Sequence, residues 1–201
     1  MHAPPRALAA LVLSALAVGC SPTPQTTPAA SSAQPTYLCT GGTQTATPFP
    51  CDKARYDDQQ RTKALEDEAL AVYQRYWKEY TRLIEAGGTT EATPELQATV
   101  AEPMLATIVA VLRFQSKSGW RPRPLVARSV VEVMTMPTRT DADLSLVACE
   151  DTTGSVMIDS AGNKAAEGSM AVNFLALRRV GGALKIYDVD GQPTGTPCPV
   201  R

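Results

Sequence analysis

Histidine is nearly missing from this chain. The only one, His2, precedes everything that reads as a folded domain, so no mechanism that needs an imidazole acid, base or ligand is open to that domain. There is no Cys-x-x-Cys either, and structural zinc has no ligand set here. No Gly-x-Ser-x-Gly elbow occurs, and Gly41-Gly42 and Gly181-Gly182 stand alone rather than in a phosphate-cradling loop. Charge of one sign is lacking too: 19 basic side chains face 20 acidic ones, for a formal net charge of −1. A nucleic-acid binder would carry a basic face; the one local basic cluster, Arg121 and Arg123, reads as the lead-in to a strand. The longest apolar run, Ala7 to Val18 broken by Ser14, is about a dozen residues, where a membrane span needs roughly 20. The expected inventory is therefore no metal, no cofactor and no nucleic acid.

What is present begins with an address. Residues 1–19 read as a targeting segment: Arg6 supplies a thin positive end, Ala7–Val18 the short apolar core, and Gly19-Cys20 a small-residue junction. Residues 21–35 hold Ser, Thr, Pro, Ala and Gln, with no charge and no large apolar side chain. They cannot bury a core, so 20–36 is expected to be a disordered tether. In a polyproline-like state its fifteen residues would reach about 45 Å at ~3.1 Å each. About 160 residues remain, the size of one ordinary domain.

Five cysteines, at 20, 39, 51, 149 and 198, are an odd number for an exported protein. The junction at Leu16-Ala17-Val18-Gly19-Cys20 resembles the lipobox of bacterial lipoproteins. That resemblance implies diacylation of the Cys20 sulfur, a mature chain starting at Cys20, and anchoring on the extracytoplasmic face of the cell membrane. The competing reading is ordinary cleavage after Ala17, which leaves Cys20 a free thiol. Lipidation removes the odd cysteine and leaves four, which allow three pairings. Cys39–Cys51, closing a local Gly/Thr/Pro-rich loop, with Cys149–Cys198, tying a strand end to the tail, is the favoured set.

Residues 37–58 read as an irregular stapled loop, and 59–201 as the folded domain. A helix over about 59–86 follows from Leu65, Ala69, Val72, Tyr73, Tyr76, Trp77, Tyr80, Leu83 and Ile84 at three- and four-residue spacing. Tyr73, Tyr76, Trp77 and Tyr80 form an aromatic stripe. With Trp120 they either line a ligand pocket or pack as core. Thr93-Pro94 opens a second helix to about Ala101, with Thr93 as N-cap. A third runs from Pro103 to about Ser116, broken by Ser118-Gly119. From Leu125 the period changes to two. Strands are expected over 125–138, 144–150 and 155–159. The segment 170–180 should put Met170, Val172, Phe174, Ala176 and Val180 on one face. A two-residue Gly181-Gly182 hairpin and a return strand over 183–190 complete the set.

Helices first and hairpin-joined strands after argue for an α+β domain, a long N-terminal helix and shorter helices packed on a curved antiparallel sheet of four to five strands. The closing stretch Leu177-Arg178-Arg179-Val180-Gly181-Gly182-Ala183-Leu184-Lys185-Ile186-Tyr187-Asp188-Val189 resembles the last hairpin of NTF2-like (cystatin-like, cone-shaped) domains. The whole chain is similar to NTF2-like lipoproteins of actinobacterial type; its thirteen arginines against six lysines suit a GC-rich genome. That resemblance implies a cone whose interior holds a ligand or, in the isomerases and cyclases of the group, a catalytic carboxylate. No position matches a catalytic motif, and the candidate bases Asp141, Asp143, Asp188 and Asp190 all sit at strand ends. Two functions follow as expectations: a non-catalytic envelope module binding a small apolar ligand or another envelope protein, or a carboxylate-based isomerase or cyclase.

Overall fold

The computed structural model describes residues 36–41, 47–134 and 139–198. From Thr36 onward they belong to one compact unit; the lipobox, Cys20 and the tether through residue 35 lie outside the described residues. The chain opens with a small hairpin, β1 (Tyr37–Cys39) paired antiparallel with β2 (Phe49–Cys51). Three helices follow: α1 (Lys53–Ala86), α2 (Pro94–Thr99) and α3 (Met104–Ser118). Then come β3 (Arg121–Pro122), β4 (Arg128–Val133), β5 (Leu144–Asp151), β6 (Val156–Ile158), β7 (Lys164–Glu167), β8 (Met170–Val180) and β9 (Ala183–Pro193). The fold is α+β, three helices with antiparallel sheets. No described helix is long and apolar enough to cross a membrane.

The stapled segment is thus more regular than expected. Its cysteines close β1 on β2, and residues 53–58, read as loop, are the first turns of α1. The Asp52 carboxylate starts that helix by accepting the Arg55 backbone N–H. Gly87, in the left-handed region at φ 91°, ends it, donating to the Ile84 and Leu83 carbonyls. Thr93 caps α2 with Pro94 inside its first turn, as the sequence suggests. The Glu79 carboxylate, nearly buried, takes the Thr93 hydroxyl at 2.8 Å and the Arg82 guanidinium at 2.7 Å, which ties α2 to α1.

The main sheet has the order β4-β5-β8-β9. The β5–β8 ribbon does not stop at its end: it continues as the β6–β7 ribbon, flanked by β3, after a break in the ladder that bends the chain from one sheet into the other. At the bend, the Thr152 and Ser169 backbones bond to each other, and a Cβ on Gly168 would lie 1.7 Å from the Thr152 carbonyl oxygen. Only glycine permits that approach. The expected single strand over 125–138 is shorter in its described part. Ser155 draws the chain away at Val126 through two 2.8 Å bonds, and β4 begins at Arg128.

One sheet face packs on α1, α2 and α3. Its core comprises Leu144, Leu146 and Ala148 of β5, Leu175 and Leu177 of β8, and Leu184 and Ile186 of β9. They meet Ala69, Val72, Tyr73, Tyr76 and Leu83 of α1, Leu96 of α2, and Ile108 and Leu112 of α3. The set Met170, Val172 and Phe174 falls on the opposite face. The odd residues of β8 are the ones the helices cover. Tyr187, out of phase with Leu184 and Ile186, packs with Ala176 and Ala101 in a small second cluster; a bulge leaves it without a partner in the β8–β9 register and keeps Asp188 on the same side, so that Val189 returns to the core. The free side of β9 is met by the chain after α2, where Val100 bridges Ile186 in parallel and Ala101 donates to the Ile186 carbonyl.

Candidate functional site

The strand alternation of β5 puts Leu144, Leu146, Ala148 and Glu150 on the helix-covered face. Glu150 is therefore a carboxylate at an inward position. The Tyr73 hydroxyl donates to its Oε1 at 3.0 Å. The Asn173 side chain lies near enough to the carboxylate, and the Ser129 side chain near enough to the Tyr73 hydroxyl, to favour the charged form of each. Gly191, directly across from Asn173, leaves room for that amide: a Cβ there would lie 2.3 Å from Asn173 Oδ1. Desolvation pushes the Glu150 carboxyl up to about 7, against the smaller opposing pull of the Tyr73 and Asn173 side chains. The neighbouring phenols move in the same direction. Burial first, then the negative charge of Glu150, raises Tyr73 and Tyr80 above the ordinary phenol range; burial also raises Tyr76, with Tyr80 and Glu150 adding to it.

The aromatic stripe surrounds this carboxylate but does not line an opening. Tyr73 and Tyr76 are buried core residues, and Trp77 and Tyr80 pack half-buried against that core. Tyr73 stacks with Trp77 (centroids 6.5 Å, planes 8° apart) and Tyr76 with Tyr80 (5.7 Å, 24°). Trp120 has a different neighbour: it stands edge-on to Phe114 at the end of α3, 5.4 Å between centroids. Tyr73, Tyr76, Trp77 and Tyr80, at helical spacing on α1, pack into the space between α1 and the sheet, and Trp120 packs apart from them on Phe114.

Two surface recesses among the described residues bear on function. The first, about 390 Å³, lies where α1 passes the β5 and β8 ends, lined by Arg61, Ala64, Leu65, Glu68, Asp143 and Arg179. Its charges are already matched: Arg179 grips Glu68 through two bonds of 2.6 and 3.1 Å and bonds the Gly182 carbonyl, while Asp143 accepts the Arg179 backbone N–H. The second, about 260 Å³, is a mostly apolar groove on the uncovered sheet face, formed by Val130, Val147, Cys149 and Val172 with the tail at Thr194, Thr196 and Pro197, and it carries one carboxylate, Glu132. The Cys149–Cys198 disulfide holds the tail there, and Cys39–Cys51 staples the first hairpin.

Of the four aspartates singled out in the sequence, Asp143 lines the first recess and the other three lie outside both. Asp141 takes the Tyr187 hydroxyl at 2.6 Å, which with Arg139 and Arg178 holds its carboxyl below the usual range. Asp188 pairs with Arg139 at 2.8 Å, Asp143 caps the β8 backbone, and Asp190 is exposed. None faces the interior. Glu150 does, and the signal for it was available: it is in phase with Leu146 and Ala148. Among the described residues no group of three or more His, Cys, Asp or Glu side chains is arranged to hold a metal ion.

No protein-family model and no curated protein matches the chain. Among solved structures it is similar to the intermembrane space region of the chloroplast protein ARC6, at 12% identity and a TM-score of 0.47, over 64% of this chain and 97% of that one.

Proposed function

We propose that this chain is an exported, membrane-anchored lipoprotein whose folded part is an NTF2-like domain serving as a non-catalytic binding module. The observation that carries this reading is the space between α1 and the sheet: it is occupied by Tyr73, Tyr76, Trp77 and Tyr80, while the apolar groove opens on the other sheet face. The long α1 packed on a four-stranded antiparallel sheet supports the cone-type assignment. Two disulfides favour an oxidising compartment outside the cytoplasm. They also use up the other four cysteines, so Cys20 has no disulfide partner in the chain, as diacylation requires. The groove suits a small apolar ligand or the apolar side chains of another envelope protein.

Intact mass of the protein extracted from membranes tests the anchor. The expected result is a chain beginning at Cys20 with a diacylglyceryl adduct; an unmodified chain beginning at Val18 refutes it. A second reading, a carboxylate-based isomerase or cyclase, is favoured by the Glu150–Tyr73 pair alone. It requires substrate to reach a carboxylate that neither surface recess touches. Enolisation of a ketone, lost in Glu150→Gln, is its signature.

A further inference from the structure

We infer that β4 is a self-association edge, pairing antiparallel with β4 of a second copy about a two-fold axis through Val130. β4 forms one side of the main sheet, and β5 is its only ladder partner among the described residues. The direction of its free backbone groups follows from one bond. The Met134 N–H donates to the Ser145 carbonyl, the residue directly across. Hydrogen-bonded pairs alternate in an antiparallel ladder, so Arg128, Val130 and Glu132 bond inward to β5. Ser129 and Val131 then turn their N–H and C=O groups outward.

A copy approaching about a two-fold at Val130 meets those groups in register. Ser129 lies across from Val131 twice, as hydrogen-bonded pairs exchanging about four bonds. The same register sets Arg128 across from Glu132 twice; both side chains are exposed, and the cross-axis pair forms alongside the contacts each keeps within its own copy, Arg128 facing Asp151 on β5 and Glu132 engaged as well. They occupy the closer, non-hydrogen-bonded positions of the new ladder, where opposite charges attract most strongly across strands. Shifting the axis to Val131 would put Val130 against Glu132 and Arg128 against Met134, matching neither charge nor apolar surface. With the axis at Val130, the two Val130 side chains meet on the uncovered face and join the grooves at Val147, Cys149 and Val172 of both copies into one apolar strip. Association of identical subunits through an isologous contact needs this self-complementarity.

Sedimentation equilibrium of the full chain in density-matched detergent tests the proposal. The wild type is expected to dimerise. Arg128→Glu and Glu132→Arg, each alone, place like charges across the axis and should weaken the dimer tenfold or more. Mixing the two variants one to one restores opposite charges at both positions and should regenerate a dimer, which also demonstrates that each variant is folded. A wild type that stays monomeric overturns the proposal and leaves the edge to a different protein. A dimer equally strong in both single variants, or a mixture that stays as dissociated as its components, overturns it as well.

Discussion

Glu150 occupies a position where alternation calls for an apolar side chain, and its environment sets a pH dependence. The unfolded chain ionises this carboxyl near its ordinary 4.5, the folded chain near 7. Between those values the folded state keeps a proton that the unfolded state has released. Stability is therefore full below about pH 4.5, falls as pH rises through 7, and levels off above. The whole shift would correspond to ~3 kcal/mol, and solvent at the partly accessible carboxylate reduces it to about 2 kcal/mol. No histidine stands among the described residues to mask that window. Urea unfolding at pH 5 and pH 8 should show the wild type losing about 2 kcal/mol between them, and Glu150→Gln losing much less. An undiminished slope in Glu150→Gln would remove Glu150 as its source. The residue was legible in principle, since its phase is that of Leu146 and Ala148. Its tyrosine partner was not, because Tyr73 lies 77 positions away on another element.

Among the elements, α2 and the β8–β9 hairpin follow from local chemistry: Thr93 and Pro94 start the one, Gly181-Gly182 joins the other. α1 starts earlier than its apolar periodicity begins, because Asp52 caps a first turn whose side chains are mostly exposed. The bend between the β5–β8 and β6–β7 ribbons depends on a contact no local pattern announces, Gly168 against the Thr152 carbonyl. Gly168→Ala forces those backbones apart and should cost about 3 kcal/mol, the upper end of overpacking effects. Gly181→Ala, at φ 61° with open space around its Cβ, should cost only ~1 kcal/mol. Chemical denaturation of the two variants checks the contrast; equal losses would mean the bend is not held by that close approach.

Across the whole molecule, two covalent ties set how far the chain opens when unfolded. On the chain-entropy model, bridges separated by 12 and 49 residues contribute about 3 and 4 kcal/mol. Cys149→Ala/Cys198→Ala should therefore destabilise more than Cys39→Ala/Cys51→Ala, by about 1 kcal/mol in urea unfolding at constant pH; the reverse order would contradict the loop-length argument. By itself the sequence determined the α+β order, the Thr93 cap of α2, the glycine stop of α3, the hairpin glycines and the even number of cysteines left beside Cys20, since each rests on neighbours within a few residues. Only the tertiary structure decided which face of β8 is buried, that the tyrosine stripe packs as core, and that Glu150 meets Tyr73. It also left β4 with β5 as its only ladder partner among the described residues. Those depend on which surface the helices cover, and that is set by contacts between residues tens of positions apart.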